Sequence, residues 1–403
     1  MTAWPPEIPD PFDPKRTAFG RKLEGTWGRI TREAEVPSWP PELPKAAPAT
    51  PPVASPPPVS APEQAAPPAD AEGADDIEQS AEHFRARFQL LRDEIQKVIV
   101  GQDDIIDHIV TAMIAGGHVL LEGVPGLGKT ALARALAEAL SLSYRRVQFT
   151  SDFEPADLIG TTRGGGSPVG QMPVDFSPGP LFSNLLLADQ ITKAPPKTQV
   201  ALFEAMDEKS VLVAGKARLI PEPFFVLATQ HPAEEGGYSL AADQIDRFFF
   251  SLPMELPTVE EMETILERTT EATAPLVEPA FPGDDLVLMR DFARSVLIEP
   301  PLRHQIAELV TATHPKSELA GLFVKKYVRS GAGPRAAQAL VMAAKVRALR
   351  EGRFHATTED VITFAIAALR HRIVLAPRAQ IDGLSTEDVL SKTLQELYDR
   401  WQE

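Results

Sequence analysis

The chain of 403 residues contains no cysteine, so neither disulfides nor thiolate zinc sites are open to it. That absence fits a reducing compartment. The opening run MTAWPPEIPDPFDPKR lacks the basic-then-apolar order of a secretory leader. No apolar stretch approaches the roughly 20 residues that a membrane helix needs. A soluble, cytoplasmic protein with no membrane partner is expected. Basic charge is also in deficit. The 40 Lys and Arg against 56 Asp and Glu give a net charge of −16, which argues against nucleic acid as a partner, because such proteins usually carry a basic face.

What is present is unevenly spread. Hydrophobic residues make up 43% of the chain, enough for a sizeable core, and the length leaves room for two or three domains. Nearly half of the 39 prolines precede Asp70. Residues 44–76 are Pro/Ala-rich and then acidic, with no apolar periodicity, and residues 1–76 are expected to form a disordered extension. Within it, 19–39 carries two tryptophans and reads either as more disorder or as a short docking segment.

From Ile77 the composition becomes globular. Phe84, Phe88, Leu91 and Ile95 recur at helical spacing. Five short apolar runs then alternate with helical patterns: 118–123, 144–150, 184–189, 224–229 and 247–253. Near-continuous apolar strands separated by helices predict a parallel sheet covered on both faces. Residues 210–221 predict an extra hairpin turning near Gly215. After Pro257 the strand signals stop. Thr357 and Ser385 each stand three residues before an aspartate, as a helix-starting cap does. The expected order is an α/β domain over 77–256, a small all-helical domain over 257–380 and a C-terminal helix over 381–403.

The chemistry concentrates at GVPGLGKT, residues 123–130, which fits G-x-x-x-x-G-K-[ST] between a strand and the helical run TALARALAEAL. The residues Gly123, Val124, Pro125, Gly126, Leu127 and Gly128 would curl their backbone N–H groups around phosphate oxygens. Lys129 would reach the β and γ phosphates, and Thr130 would offer its hydroxyl to Mg²⁺. Asp189 ends the strand LLLAD, where a nucleotide-binding protein of this type needs a carboxylate beside the metal. ATP and Mg²⁺ are the cofactors this pattern calls for.

Beyond the loop, the chain resembles the MoxR family of AAA+ ATPases. The similarity runs through 98–137, 148–160 (QFTSDFEPADLIG), 177–190 (SPGPLFSNLLLADQ), 194–208 (APPKTQVALFEAMDE) and 224–250, in family order. It implies an α/β P-loop AAA+ core with a parallel five-stranded sheet, followed by a small all-α lid domain. It also implies a hexameric ring with nucleotide at subunit boundaries. Val100, Gly101 and Gln102 would lie near the adenine. Arg247 matches the arginine that reaches a neighbouring subunit's γ-phosphate; otherwise it pairs with Asp243 or Asp246. Arg335, just after Pro334 in the first turn of a helix, matches the lid's sensor arginine; otherwise it is solvated.

Three positions depart from the family together. Gln190 replaces the catalytic glutamate, Thr192-Lys193 replaces an Asn-Arg pair, and His231 replaces the sensor asparagine. Glutamine can hold a water but cannot accept a proton at neutral pH. His231 is either a weak base for that water or a polar strand-end residue. With the binding parts intact, slow hydrolysis is expected. The resemblance then leaves two main readings: a slow ATPase that remodels partner proteins, one of them carrying a von Willebrand factor A domain, or a nucleotide-gated scaffold without useful turnover. A metal-chelatase motor or nucleic-acid translocase of related fold is a third.

Overall fold

The structure is a computed structural model that describes residues 71–163, 175–231, 237–270 and 275–402. All of them belong to one unit spanning 68–403. The disorder expected over 1–70 lies outside the described residues, and the first helix begins at Ala71, slightly ahead of the expected break at Ile77.

All five expected strands form one sheet. They are β1 (Val119–Glu122), β2 (Tyr144–Gln148), β3 (Leu185–Asp189), β4 (Phe225–Gln230) and β5 (Phe250–Pro253). Their order is β2-β3-β4-β1-β5, with every neighbouring pair parallel. The apolar runs are continuous because both faces are covered. Val119, Leu121, Leu185, Leu187, Leu227, Phe250 and Leu252 point to one layer, and Leu120, Leu186, Ala188, Val226 and Ala228 to the other. Each such leucine or phenylalanine contributes about 1.5–3 kcal/mol when fully withdrawn from water.

The first layer is built by α1 (Ala71–Val98), α2 (Asp103–Ala115) and α3 (Lys129–Ala139). Phe84, Phe88, Leu91 and Ile95, the periodic set seen in the sequence, are all buried there. On the other face α4 (Pro196–Glu208) packs Leu202, Phe203, Ala205 and Met206 beside the hairpin Ser210–Val213/Lys216–Leu219. That hairpin turns at Ala214 and Gly215, both at positive φ, as a tight two-residue turn requires.

The C-terminal part is mainly helical. Here α5 (Pro334–Arg350) packs against α1, α2 and α6 (Thr358–Leu369), while α7 (Thr386–Gln402) packs on α6. Both expected caps are present. The Asp360 carboxylate accepts the Thr357 N–H at 2.8 Å, and the Asp388 carboxylate accepts the Ser385 N–H at 2.9 Å. Asp360 does more than cap. Fully buried, it also takes Arg347 at 2.7 Å and both terminal nitrogens of Arg353 at 2.7–2.8 Å.

The expectation that strands stop after Pro257 needs correction, since Val328–Ser330 pairs antiparallel with Val374–Leu375. Segments of three and two residues are too short to show alternation, and the second reads as the tail of a helix. A further hairpin, Gly160–Arg163 with Asp175–Pro178, was equally hidden in a Gly/Pro-rich stretch. Among the described residues no helix is long and apolar enough to cross a membrane.

Candidate functional site

The parallel sheet gives the molecule two distinct ends. At its carboxyl edge β1 runs into the 123–130 loop, where Gly126 and Gly128 adopt φ of 92° and 83°. A Cβ built on either would meet nothing within 4 Å, so both positions open onto free space. Gly128 caps α3, whose first turn holds no acidic residue. The partial positive charge of that helix end therefore faces the opening uncompensated.

A cavity of about 330 Å³ lies there. It is lined by Gly123, Pro125, Gly126, Gly128, Lys129 and Thr130 of the loop, by Asp189 and Gln190 after β3, and by His231 after β4. Val124 and Leu127 do not line it. Val124 is largely exposed, and Leu127 turns into the core. Lys129 folds back, donating to the carbonyls of Gly123 and of Val124, the latter at 3.0 Å. Partial burial lowers its pKa, against which Asp189 acts in the opposite sense. A cation resting on loop carbonyls is one in want of a better acceptor.

Arg146, Gln148 and Thr229, which the sequence did not single out, belong to the same cavity. The register pairs Gln148 with Asp189, so Arg146, two residues earlier, shares the face of the aspartate. Its guanidinium donates to Asp189 Oδ2 at 2.7 Å, and Thr229 Oγ1 donates to Oδ1 at 2.7 Å. The same threonine oxygen accepts the Gln190 N–H at 2.9 Å. Gln190 sits in the left-handed region, φ 58°, at the end of β3. One threonine thus fixes both the carboxylate and the turn that presents residue 190.

A second cavity, about 690 Å³, lies between the sheet edge and the helices α6 and α7. Gly101, Gln102, Leu252, Ile366, Ala367, Arg370 and Glu387 are among its walls. Gln102 also ties down the wall by donating to the Glu255 carbonyl at 3.1 Å. Arg370 contacts Glu122, the residue before the loop, at 3.2 Å.

Arg247 and Arg335 lie elsewhere. They line a cavity of about 340 Å³ with His118, Asp207 and Arg372. His118 precedes β1 and Arg247 precedes β5, so this is the amino edge of the sheet. Gly123 follows β1, so the two cavities are separated by at least the length of that strand, about 13 Å at ~3.3 Å per residue. Within one chain neither arginine joins the loop residues. Arg247 pairs with Asp207 at 3.0 Å, and neither Asp243 nor Asp246 takes it. Its guanidinium also lies over the Phe203 ring, 5.6 Å from the centroid. Arg335, half-exposed, approaches the same Asp207 oxygen at 3.4 Å.

A G-x-x-x-x-G-K-T loop at the carboxyl edge of a 2-3-4-1-5 parallel sheet, with a helical lid, is the arrangement of the AAA+ class of P-loop ATPases. Comparison with known proteins agrees. A model of the ATPase family associated with various cellular activities matches residues 118–250, and one of the AAA lid domain matches 322–393. The chain is 37% identical to the chaperone MoxR1 of Mycobacterium tuberculosis, over 75% of this chain and 79% of that one. It is 36% identical to the Bacillus subtilis protein YeaC, over 75% and 91%. A crystal structure from Cytophaga hutchinsonii described as that of an ATPase superposes with a TM-score of 0.74 at 34% identity, covering 81% of this chain and 98% of that one. The chain belongs to the MoxR family of AAA+ ATPases, and with that membership come nucleotide binding and a chaperone-like class of function.

Proposed function

We propose that the carboxyl-edge cavity binds Mg-ATP and that the protein hydrolyses it slowly, as the motor of a remodeller or assembly factor for partner proteins. The observation that carries this reading is one cavity that gathers open glycines, a helix N-terminus, Lys129, Thr130 and Asp189, with glutamine just after β3. The donor set fits the ligand. Open glycines, a helix N-terminus with no acidic residue in its first turn and a cation resting on loop carbonyls suit a polyphosphate. Thr130 and Asp189 are hard oxygen donors of the kind Mg²⁺ takes. When bound, the metal neutralises charge on the phosphates. Lys129 would leave the loop carbonyls for phosphate oxygens, and Asp189 would exchange part of its Arg146 contact for the metal. Gly101 and Gln102 would border the base in the second cavity.

Arg247 and Arg335 then act on a neighbour's nucleotide. Their place at the amino edge supports this, because no rotation of a side chain spans the sheet. Asp207 holds both until the boundary forms. The unit is a ring of copies, a hexamer by family resemblance, located in the cytoplasm, with a protein client and a von Willebrand factor A domain partner. Gln190 can orient a water but cannot take its proton, and His231, just after the neighbouring strand β4, lines the same cavity as an alternative acceptor. Titration with a fluorescent ATP analogue, with and without Mg²⁺, tests the binding half. Binding is expected in the wild type and lost in Lys129→Ala; equal affinity in both would refute the site. Steady-state phosphate release tests the other half. No turnover above background would favour a scaffold that binds ATP without resetting.

A further inference from the structure

The lid reaches the finger loop chiefly through one buried side chain. Arg372, just beyond α6, is 3% exposed, yet it spends nearly all its hydrogen-bonding capacity on residues 246–249. Its Nε donates to Asp246 Oδ1 at 2.8 Å. Nη2 donates to the carbonyls of Asp246 at 3.0 Å and Phe248 at 2.7 Å, and Nη1 reaches that of Phe249 at 3.4 Å. Only the remaining contact, to Ala368, stays within its own segment. The preceding His371 adds its Nε2 to the Phe248 carbonyl at 3.0 Å. Arg247 lies inside this clamp.

We propose that Arg372 is the positioning residue for Arg247. This rests on the reading that Arg247 acts across a subunit boundary. A guanidinium is a rigid planar fork, and only such a fork grips a carboxylate and several carbonyls of one turn at once. Gripping the backbone on both sides of residue 247 fixes where its Cα sits and where its side chain leaves the loop. Asp207 and Phe203 then hold the far end of that side chain. Arg370, two residues before Arg372, holds Glu122 beside the phosphate loop. One short segment of the lid therefore grips both the chain's own nucleotide site and the finger it offers its neighbour, so a lid displacement on one side moves the other.

The test uses mixed rings in a Gln190→Glu background, which raises the signal. A Lys129→Ala chain keeps a sound finger and lacks a phosphate site. An Arg372→Met chain keeps its phosphate site and presents a loose finger. Alone, Arg372→Met is expected to lose about 10²-fold in kcat, the scale of an ångström-size misplacement, with KM for ATP unchanged. Mixed with equimolar Lys129→Ala, it is expected to regain at least about tenfold over the mean of the separate proteins, a substantial part of that loss. A merely structural defect would not be repaired in trans. The proposal is overturned if the mixture stays inactive while Arg247→Ala and Lys129→Ala complement each other. If that control pair also fails, Arg247 does not act across a boundary and both ideas fall. Hydrogen exchange gives a readout independent of turnover: amides of 246–249 should exchange about tenfold or more faster in Arg372→Met, with β1 unchanged. Unaltered protection there also overturns it. Should Arg372→Met not fold, Asp246→Ala loosens the same clamp from its partly exposed side.

Discussion

Changing Gln190 to glutamate should raise ATP turnover. The exchange is isosteric, and the backbone that carries it is held independently of the side chain. The Gln190 N–H is bonded to Thr229 Oγ1, and φ at 58° is as unfavourable for glutamate as for glutamine. The full contribution of a general base is about 10²–10⁴-fold, or ~2.7–5.4 kcal/mol at 1.36 kcal/mol per decade. A new carboxylate must also coexist with Asp189. Two like charges near 4 Å repel by about 1 kcal/mol in water and ~4 kcal/mol at an effective dielectric of 20. Arg146 at 2.7 Å and the nearby Lys129 offset much of that. Discounting about one decade leaves an expected rise of roughly 10- to 10³-fold in kcat. Adding His231→Asn, which restores a neutral amide at the end of β4, should raise it further. Coupled-enzyme or phosphate-release assays on the three proteins decide, with nucleotide titration as a control because affinity should change little. A wild type that already turns over as fast as the double variant would mean that another group takes the proton, with His231, which lines the cavity, tested next and then Asp152 and Glu154.

Other consequences can be measured separately. Arg247→Ala should bind a fluorescent ATP analogue as well as the wild type does while Lys129→Ala does not; parallel loss in both would mean that the Arg247 assignment is wrong or that binding depends on the assembled ring. Asp360→Asn should destabilise the fold by about 3–5 kcal/mol in urea melts, because it leaves Arg347 and Arg353 half-paired in a buried setting; a change below ~1 kcal/mol would refute that weight. His118 accepts the Val226 N–H on Nδ1 at 3.0 Å at a buried position, and burial pushes its pKa from 6.5 down to about 4. Below pH 6.5 the unfolded chain takes up this proton and the folded chain does not, so stability is full above 6.5 and falls by about 3 kcal/mol on the way to pH 4. His118→Gln should flatten that part of the pH–stability curve, and an unchanged curve would refute the assignment.

Much of the architecture was legible in the chain. Strands buried on both faces leave unbroken apolar runs, and Thr357 and Ser385 announce helix starts by local chemistry alone. The strand–loop–helix at 123–130, proposed to hold phosphate, was legible because the motif sets residue types in a fixed order. The partners of those residues were not. Arg146 sits on β2, an edge strand whose residues 144–148 are mostly exposed and carry little pattern, and only register places it on the face of Asp189, two residues before that residue's partner Gln148. Arg247, read as an arginine that reaches a neighbour, had Asp243 or Asp246 as its alternative partners within the chain, whereas the carboxylate that holds it comes from α4. Arg372 reads as a charged residue after a helix, and nothing local says that it is buried.

Two of the three departures from the family, Gln190 and His231, follow from how the two halves of the site are made. The proposed binding half is largely backbone: loop amides, glycines at positive φ and a helix end, all continuous with β1 and α3 in the core. Replacing residues there would strain the chain or fill the cradle. The proposed hydrolytic half is made of side chains beyond the last core residues of β3 and β4. Ala188 and Ala228 close the packed layer, and residues 190 and 231 project past it into the cavity. The turn at 190 is fixed through its own N–H, which any residue but proline supplies. Glutamine for glutamate and histidine for asparagine therefore leave the fold and the phosphate cradle untouched. Selection acting on turnover can adjust these positions while affinity stays put. That separation is why Gln190→Glu is the informative substitution: it tests rate with binding and folding held constant.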